Sequence, residues 1–207
     1  SVDDLDALWE ASGGSIKLLT LAPEMPGALD MLRAARRYGI VVAVGHTRAD
    51  YTQMMEAVDA GAGLATHLFN AMGNSDHRQP GMAHTLMETP EVSCSLIPDG
   101  HHVHPILVRQ ALKLIGVARC VLITDSVSAT GMPDGEYLLG QLPVTLQNGT
   151  VRNADGTLAG AALTMAEAAS RFLSMVPDAS AWCLGQVAAR NPAQCIAAKN
   201  WGVLEPG

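Results

Sequence analysis

The sequence predicts an α/β fold built on parallel strands, and three observations carry that prediction. From Lys17 onward, compact apolar runs alternate with amphipathic segments, as strands joined by right-handed helical crossovers do. His46, His67 and Asp125 each stand just beyond such a run, where a parallel strand ends and presents its last side chains to a pocket. Two imidazoles and a carboxylate from successive strand ends are the ligand types that a hydrolytic zinc-like ion requires. Later the pattern changes: Asn148-Gly149 and Asp155-Gly156 are tight-turn dipeptides flanked by alternating residues, so an antiparallel hairpin excursion over residues 137–157 is expected beside the core.

The first strand is expected over residues 16–22, followed by a helix from about Pro26 with Leu29, Leu32 and Ala35 on one face and Gly39 as its stop. A second strand covers 40–44. Asp50 with Gln53 three residues on can form a capping box for a helix that ends at Gly61. A third strand follows at 63–68, and then a polar, irregular stretch at 73–80. Beyond a short helix near 82–87 come a strand at 92–97, a helix at 105–115 closed by Gly116, and a fifth strand at 119–124. In the 105–115 helix, Ile106, Leu107, Leu112, Leu114 and Ile115 are expected to cover a broad apolar face. Residues 163–175 and 181–189 read as helices, with Met165 and the other helically spaced methionines as core, and Asn191-Pro192 starts a last helix to about Lys199. Five strands cannot close a barrel, which conventionally needs eight. The chain also stops at Leu204-Glu205-Pro206-Gly207 with no closing element, so residues 1–207 are expected to be one domain truncated at both ends. Such an open sheet, expressed alone, is expected to associate through its edges.

Composition narrows the function classes. With 207 residues and 48% hydrophobic content the chain can bury one good-sized core. Thirteen basic against 20 acidic residues give a net charge of −7, with no basic face or run, which argues against nucleic acid or an anionic membrane as partner. Cys94, Cys120, Cys183 and Cys195 are widely spaced, which suits reduced thiols and a cytoplasmic location. No apolar run is long enough to span a bilayer and the opening residues are acidic, unlike a signal peptide.

Taken in order, Leu19-Thr20-Leu21-Ala22-Pro23-Glu24, Gly45-His46-Thr47, Thr66-His67-Leu68-Phe69-Asn70-Ala71-Met72, Pro80-Gly81, Asp99-Gly100-His101-His102-Val103, Thr124-Asp125, Pro133-Asp134-Gly135-Glu136-Tyr137 and Gly156-Thr157-Leu158-Ala159-Gly160 resemble the N-acetylglucosamine-6-phosphate deacetylases of the amidohydrolase superfamily. The resemblance covers almost the whole chain and implies the fourth to eighth strands of a TIM-barrel-like domain. It implies hydrolysis of the acetamide of N-acetylglucosamine 6-phosphate to glucosamine 6-phosphate and acetate. His46 and His67 are implied as metal ligands, together with a glutamate from a His-Leu-Glu-Gly-Pro motif that this sequence lacks; Glu24 belongs to a different family feature. The ion is expected to be divalent, zinc first, with iron, cobalt, manganese or cadmium as other choices.

The same resemblance implies that Asp125 is the general base and acid, taking a proton from the attacking water and delivering it to the leaving amine. His102 is implied to hydrogen-bond the substrate and polarise its carbonyl. Asn70 and Ala71 are implied as phosphate donors, and Arg78 as a phosphate ligand that reaches a neighbouring subunit's site in a homodimer. Leu158, Ala159 and Gly160 are implied as a loop covering the sugar. His77, His84, His101 and His104 are read as structural or surface histidines. Two other readings stay open: a different amidohydrolase, such as an N-acyl amino acid deacylase or a dihydroorotase-like enzyme, and a non-catalytic barrel remnant that binds sugar phosphate.

Overall fold

In the computed structural model, which describes residues 1–198 and 200–203, the chain begins with a helix that apolar periodicity alone does not reveal. This helix, α1 (Val2–Ala11), starts at a capping box: the Ser1 side chain accepts from the Asp4 N–H, and the Asp4 carboxylate bonds back to the cap. Leu5 is its one buried residue, and Trp9 stacks on Tyr38 with ring centroids 4.8 Å apart.

The predicted alternation follows: β1 (Leu18–Leu21), α2 (Ala28–Arg37), β2 (Val41–Val44), α3 (Tyr51–Ala60), β3 (Ala62–Ala65), α4 (Gly81–Glu88), β4 (Ser93–Leu96), α5 (Pro105–Arg119) and β5 (Cys120–Leu122). All five strands pair in parallel in the order β1-β2-β3-β4-β5. Neighbour-to-neighbour order without reversal is barrel topology, in contrast to a doubly wound sheet, whose strand order switches direction. The strands are shorter than expected. The third stops at Ala65, where residues 63–68 were to form it, because the backbone turns into the left-handed region at His67.

Side chains alternate across the sheet. Val42, Val44, Cys94, Cys120 and Leu122 join the large core under the helices with Leu32, Met54, Leu68, Leu86 and Phe172, whereas Ala43, Leu64 and Val121 form a small cluster on the opposite face. Burial pushes the Cys94 thiol up to about 12 and raises Cys120 as well, so both pack as neutral hydrophobes. The α5 face is narrower than its sequence suggests: Val108, Ala111 and Ile115 are buried, but Ile106, Leu107 and Leu114 are exposed. Gly116 breaks α5 with φ 71, after which the helix resumes for a last turn instead of ending there.

The excursion is more than a hairpin. Strands β6 (Gly135–Leu139), β7 (Leu142–Gln147), β8 (Thr150–Asn153) and β9 (Leu158–Ala161) form a four-stranded antiparallel sheet with its own small core of Ala129, Val144, Leu146 and Val151. Asn148 and Gly149, both at positive φ, make the turn between β7 and β8 as the dipeptide predicts. The C-terminal helices are α6 (Met165–Met175), α7 (Ala181–Gly185), a π-helical segment Gln186–Arg190, and α8 (Asn191–Cys195). Met165, expected in the core, is exposed at the first turn of α6. The last helix starts at Asn191 as expected, without a break from the π-helical segment before it, and the buried Asn191 amide donates to the Val117 and Cys120 carbonyls at 2.7 Å each. This helix ends at Cys195, short of the expected extension to about Lys199, because the backbone turns into the left-handed region at Ala197; residues 199 and 204–207 lie outside the described residues. No helix among the described residues is long and apolar enough to cross a membrane.

Candidate active site

Parallel strands all point one way, so the residues after each strand gather along one edge of the sheet. Glu24 follows β1, His46 follows β2, His67 follows β3, Asp99 to His102 follow β4, and Asp125 follows β5. Gly45 explains how the two histidine segments come together: a Cβ there would stand 2.7 Å from the Thr66 Cβ, so only glycine admits the end of β3 so close.

The histidines meet through their Nε2 atoms at 2.8 Å, with ring centroids 4.6 Å apart and planes at 70°. His46 is exposed; His67 is 5% exposed. Burial, and then the neighbouring His46, lower the pKa of His67, while the Asp125 charge acts on it in the opposite direction. His67 is therefore kept neutral, with a lone pair to offer. Its Nδ1 is buried without a hydrogen-bond partner, so the acceptor that normally steadies a metal-binding imidazole is not found among the described residues.

The histidine backbones are held in unfavourable conformations. His46, His67, Phe69, Ala71 and Asp125 all have φ between 35° and 77°. Hydrogen bonds impose this geometry. The Glu24 carboxylate accepts from the Thr47 hydroxyl at 2.5 Å and from the Arg48 N–H at 2.7 Å, and the Thr47 N–H donates to the Ala71 carbonyl at 2.9 Å, which ties the two histidine segments together. Burial would raise the Glu24 carboxyl, but the bonds from Thr47 and Arg48 outweigh it and hold the group below its ordinary value. On the other side, the Ser95 hydroxyl accepts from the His67 N–H and donates to the Ala65 carbonyl, both at 2.8 Å. Sequence reading did not single out Ser95, and it treated Glu24 only as part of a motif.

Asp125 is locked against β9. Its carbonyl accepts the Ala161 N–H at 2.8 Å, and Gly160, at φ 96, leaves no room for a side chain: a Cβ would lie 2.5 Å from a Val127 methyl and 3.1 Å from the Asp125 carbonyl oxygen. Leu158, Ala159 and Gly160 thus belong to a paired strand, and the expectation of a loop is corrected by those bonds. His102 is held by Asp99, whose Oδ2 lies 2.6 Å from Nδ1.

Not every expected residue joins this edge. The Asn70 amide is engaged by its own segment, donating to the His67 and Leu68 carbonyls at 3.2 Å each. Ala71 contributes its carbonyl to Thr47. Arg78 is exposed and lines a separate groove of about 680 Å³ with Arg48, Tyr51, Asn74 and Gln79, a groove that includes none of His46, His67 and Asp125. His104 caps α5 by accepting the Ile106 N–H, and the His84 ring bonds the Pro80 carbonyl, as structural histidines do.

A divalent ion fits this edge in part. A neutral buried imidazole facing a second one is a borderline donor pair. The two nitrogens stand closer than the roughly 3.4 Å that ligands about 2.1 Å from one tetrahedral ion keep, so uptake would part the rings slightly. Among the described residues no group of three His, Cys, Asp or Glu side chains could hold a metal ion. A divalent ion at this edge would need donors beyond these two imidazoles.

A sheet of βα units carrying imidazoles and carboxylates beyond the strand ends forms part of a barrel-type face with the donors and proton carriers that hydrolytic chemistry uses. Comparison with known proteins narrows the class. The chain is 38% identical over 211 residues to the N-acetylglucosamine-6-phosphate deacetylase of Vibrio furnissii, an alignment that takes in 100% of this chain and 52% of that protein. It is 35% identical to the N-acetylgalactosamine-6-phosphate deacetylase of Escherichia coli O157:H7, covering 100% of this chain and 54% of that one. Its structure matches that of a Mycobacterium smegmatis N-acetyl-D-glucosamine-6-phosphate deacetylase mutant in complex with N-acetyl-D-glucosamine-6-phosphate, with a TM-score of 0.91 and 37% identity, over 95% of this chain and 53% of that one. No protein-family model matches the chain. In sequence and structure the chain is thus similar to a C-terminal part of these deacetylases, and it spans about half the length of the relatives it matches.

Proposed function

We propose that the protein hydrolyses the acetamide of N-acetylglucosamine 6-phosphate, releasing acetate and glucosamine 6-phosphate in amino-sugar catabolism. The observation that carries this reading is the pair of converging imidazoles, His46 and His67, on the same strand-end edge as Asp125. Asp125 takes a proton from the attacking water as it adds to the acetyl carbon, then returns that proton to the sugar nitrogen as the C–N bond breaks. His102 directs Nε2 at the carbonyl oxygen, where negative charge develops. A divalent ion, zinc first, held by His46, His67 and a carboxylate that residues 1–207 do not supply, would supply Lewis acidity at the reacting carbonyl and water.

Substrate recognition falls to the segments around these groups. Asn70 and the Ala71 backbone serve the phosphate once the Asn70 amide exchanges its bonds to His67 and Leu68. Leu158, Ala159 and Gly160 flank the sugar beside Asp125. Arg78 lies in a groove apart from the histidines, as suits an arginine serving a partner subunit's phosphate in a homodimer. Four free cysteines suit a cytoplasmic location.

A second reading concerns the sugar. The E. coli relative named for the galactosamine epimer aligns with all of this chain. The test is acetate release by the full-length protein from both 6-phosphorylated N-acetylhexosamines, with added zinc and with a chelator. Chelator-sensitive release that is faster with the glucosamine compound supports the proposal, and preference for the galactosamine compound moves the substrate to its epimer. No release from either, with metal bound, removes the activity.

A further inference from the structure

Asp99 does more than shape the turn after β4. Its Oδ1 accepts the N–H groups of His101 and His102 at 2.8 Å each, its Oδ2 lies 2.6 Å from the His102 Nδ1, and its own carbonyl takes a bond from the Arg171 guanidinium of α6 at 2.8 Å. The side chains of Asp99 and His102 are each 5% exposed. Every contact to the carboxylate comes from a donor, and the ring atom facing Oδ2 is the one nitrogen that can supply a proton there. Burial would raise the Asp99 carboxyl, but the bonds from the His102 ring and from the two backbone N–H groups outweigh it and hold the group below its ordinary value. The carboxylate is ionised and cannot itself be the donor.

We infer that Asp99 is a positioning residue that commits Nδ1 of His102 to carry a proton, so that the ring acts on substrate through Nε2 alone. In the neutral ring, Nε2 then holds a lone pair and is an acceptor. Nε2 donates to a carbonyl oxygen only when the ring carries a second proton, and the Asp99 carboxylate then balances the charge. His102 therefore polarises the acetamide as an imidazolium paired with Asp99, not as a neutral donor. This inference rests on the proposed role of His102 in the deacetylation.

The experiment is 15N chemical-shift measurement of the His102 ring in the full-length protein, at a pH where the ring is neutral, alongside kcat and KM of wild type and Asp99→Asn. The asparagine keeps an oxygen for the two backbone N–H groups and turns an NH₂ toward Nδ1, which forces the proton to Nε2. The expected result is a protonated Nδ1 in wild type, the reversed tautomer in the variant, and a kcat lower by about tenfold or more with KM within about threefold, because the neutral Nε2–H left in the variant is a weaker donor to the developing oxyanion than the imidazolium paired with Asp99. A wild-type proton on Nε2 overturns the inference whatever the activity. An unchanged kcat in a variant with the reversed tautomer overturns it too. Undiminished turnover in His102→Asn instead removes the proposed role of His102 and leaves the tautomer assignment standing, so the two failures are distinguishable.

Discussion

The two sheets of this molecule handle left-handed backbone in opposite ways. In the turns of the antiparallel sheet, positive φ falls on residues suited to it, Gly140, Asn148, Gly149 and Gly156, and no atom crowds a Cβ built on any of these three glycines; the exception is Gly160 in β9, where that sheet packs against Asp125. Along the carboxyl edge of the parallel sheet, positive φ falls on His46, His67, Phe69, Ala71 and Asp125, where side chains make it costly. The turns of the first sheet bend where bending is cheap; the edge of the second holds its histidines and Asp125 in strained positions beside hydrogen bonds made by Glu24, Thr47 and Ser95. Strain of this kind persists only where the surroundings over-determine it, and here it coincides with the candidate chemistry.

That contrast can be broken most severely at the histidines. His67→Ala is expected to lower turnover of the full-length protein by more than about a hundredfold and to reduce bound metal, whereas Asn148→Ala in the β7–β8 turn leaves both unchanged. Steady-state kinetics with metal analysis checks the pair. Next in size, Arg78→Ala is expected to raise KM for the phosphorylated sugar about tenfold or more and to leave the unphosphorylated analogue unaffected, because a charged hydrogen bond to phosphate is lost.

The same substitution at two glycines of the antiparallel sheet, one packed against the carboxyl edge at Asp125 and one in an open turn, sharpens the comparison further. Gly160→Ala meets a Val127 methyl at 2.5 Å and should cost about 1–3 kcal/mol by denaturant melting, with part recovered in the Gly160→Ala/Val127→Ala double variant. Gly149→Ala, with nothing within 4 Å, should cost only about 1 kcal/mol, the price of the backbone conformation itself.

Acid has a smaller, graded effect. His67, Glu24 and Asp99 all have folded-state pKa values below their ordinary ones. For each, the stability contributed is complete above the ordinary value and is lost as pH falls through the lowered one. Melting temperature should therefore begin to fall below pH 6.5 through His67, and fall further below pH 4.5 as Glu24 and then Asp99 take up protons. His67→Ala should remove the first decline and leave the second; an unchanged first decline would assign it to another group.

Much of the architecture was legible because it is written in apolar runs. The five parallel strands, their helices and the Asp50 capping box all follow from local pattern, as does the turn at Asn148-Gly149. The α1 helix was not, since its burial rests on Leu5 and a distant Trp9–Tyr38 stack, although Ser1 and Asp4 carried a capping signal. His46, His67 and Asp125 could be located because each stands just past a strand end. Ser95, the work of Glu24, and the hold of Asp99 on His102 could not, because they act through hydrogen bonds to atoms brought close only by folding. Leu158 to Gly160 looked like a loop for the same reason: their strand partners lie in β8 and beside Asp125.

Asp125→Asn tests most directly whether the strained carboxyl edge is the seat of proton transfer. The variant keeps the side-chain shape and the carbonyl that anchors β9, but it cannot take up and return a proton. Acetate release from N-acetylglucosamine 6-phosphate by the full-length variant is expected to fall by about 10² to 10⁴ while bound metal and melting temperature stay near wild type. Near-normal release would place proton transfer on a group other than Asp125.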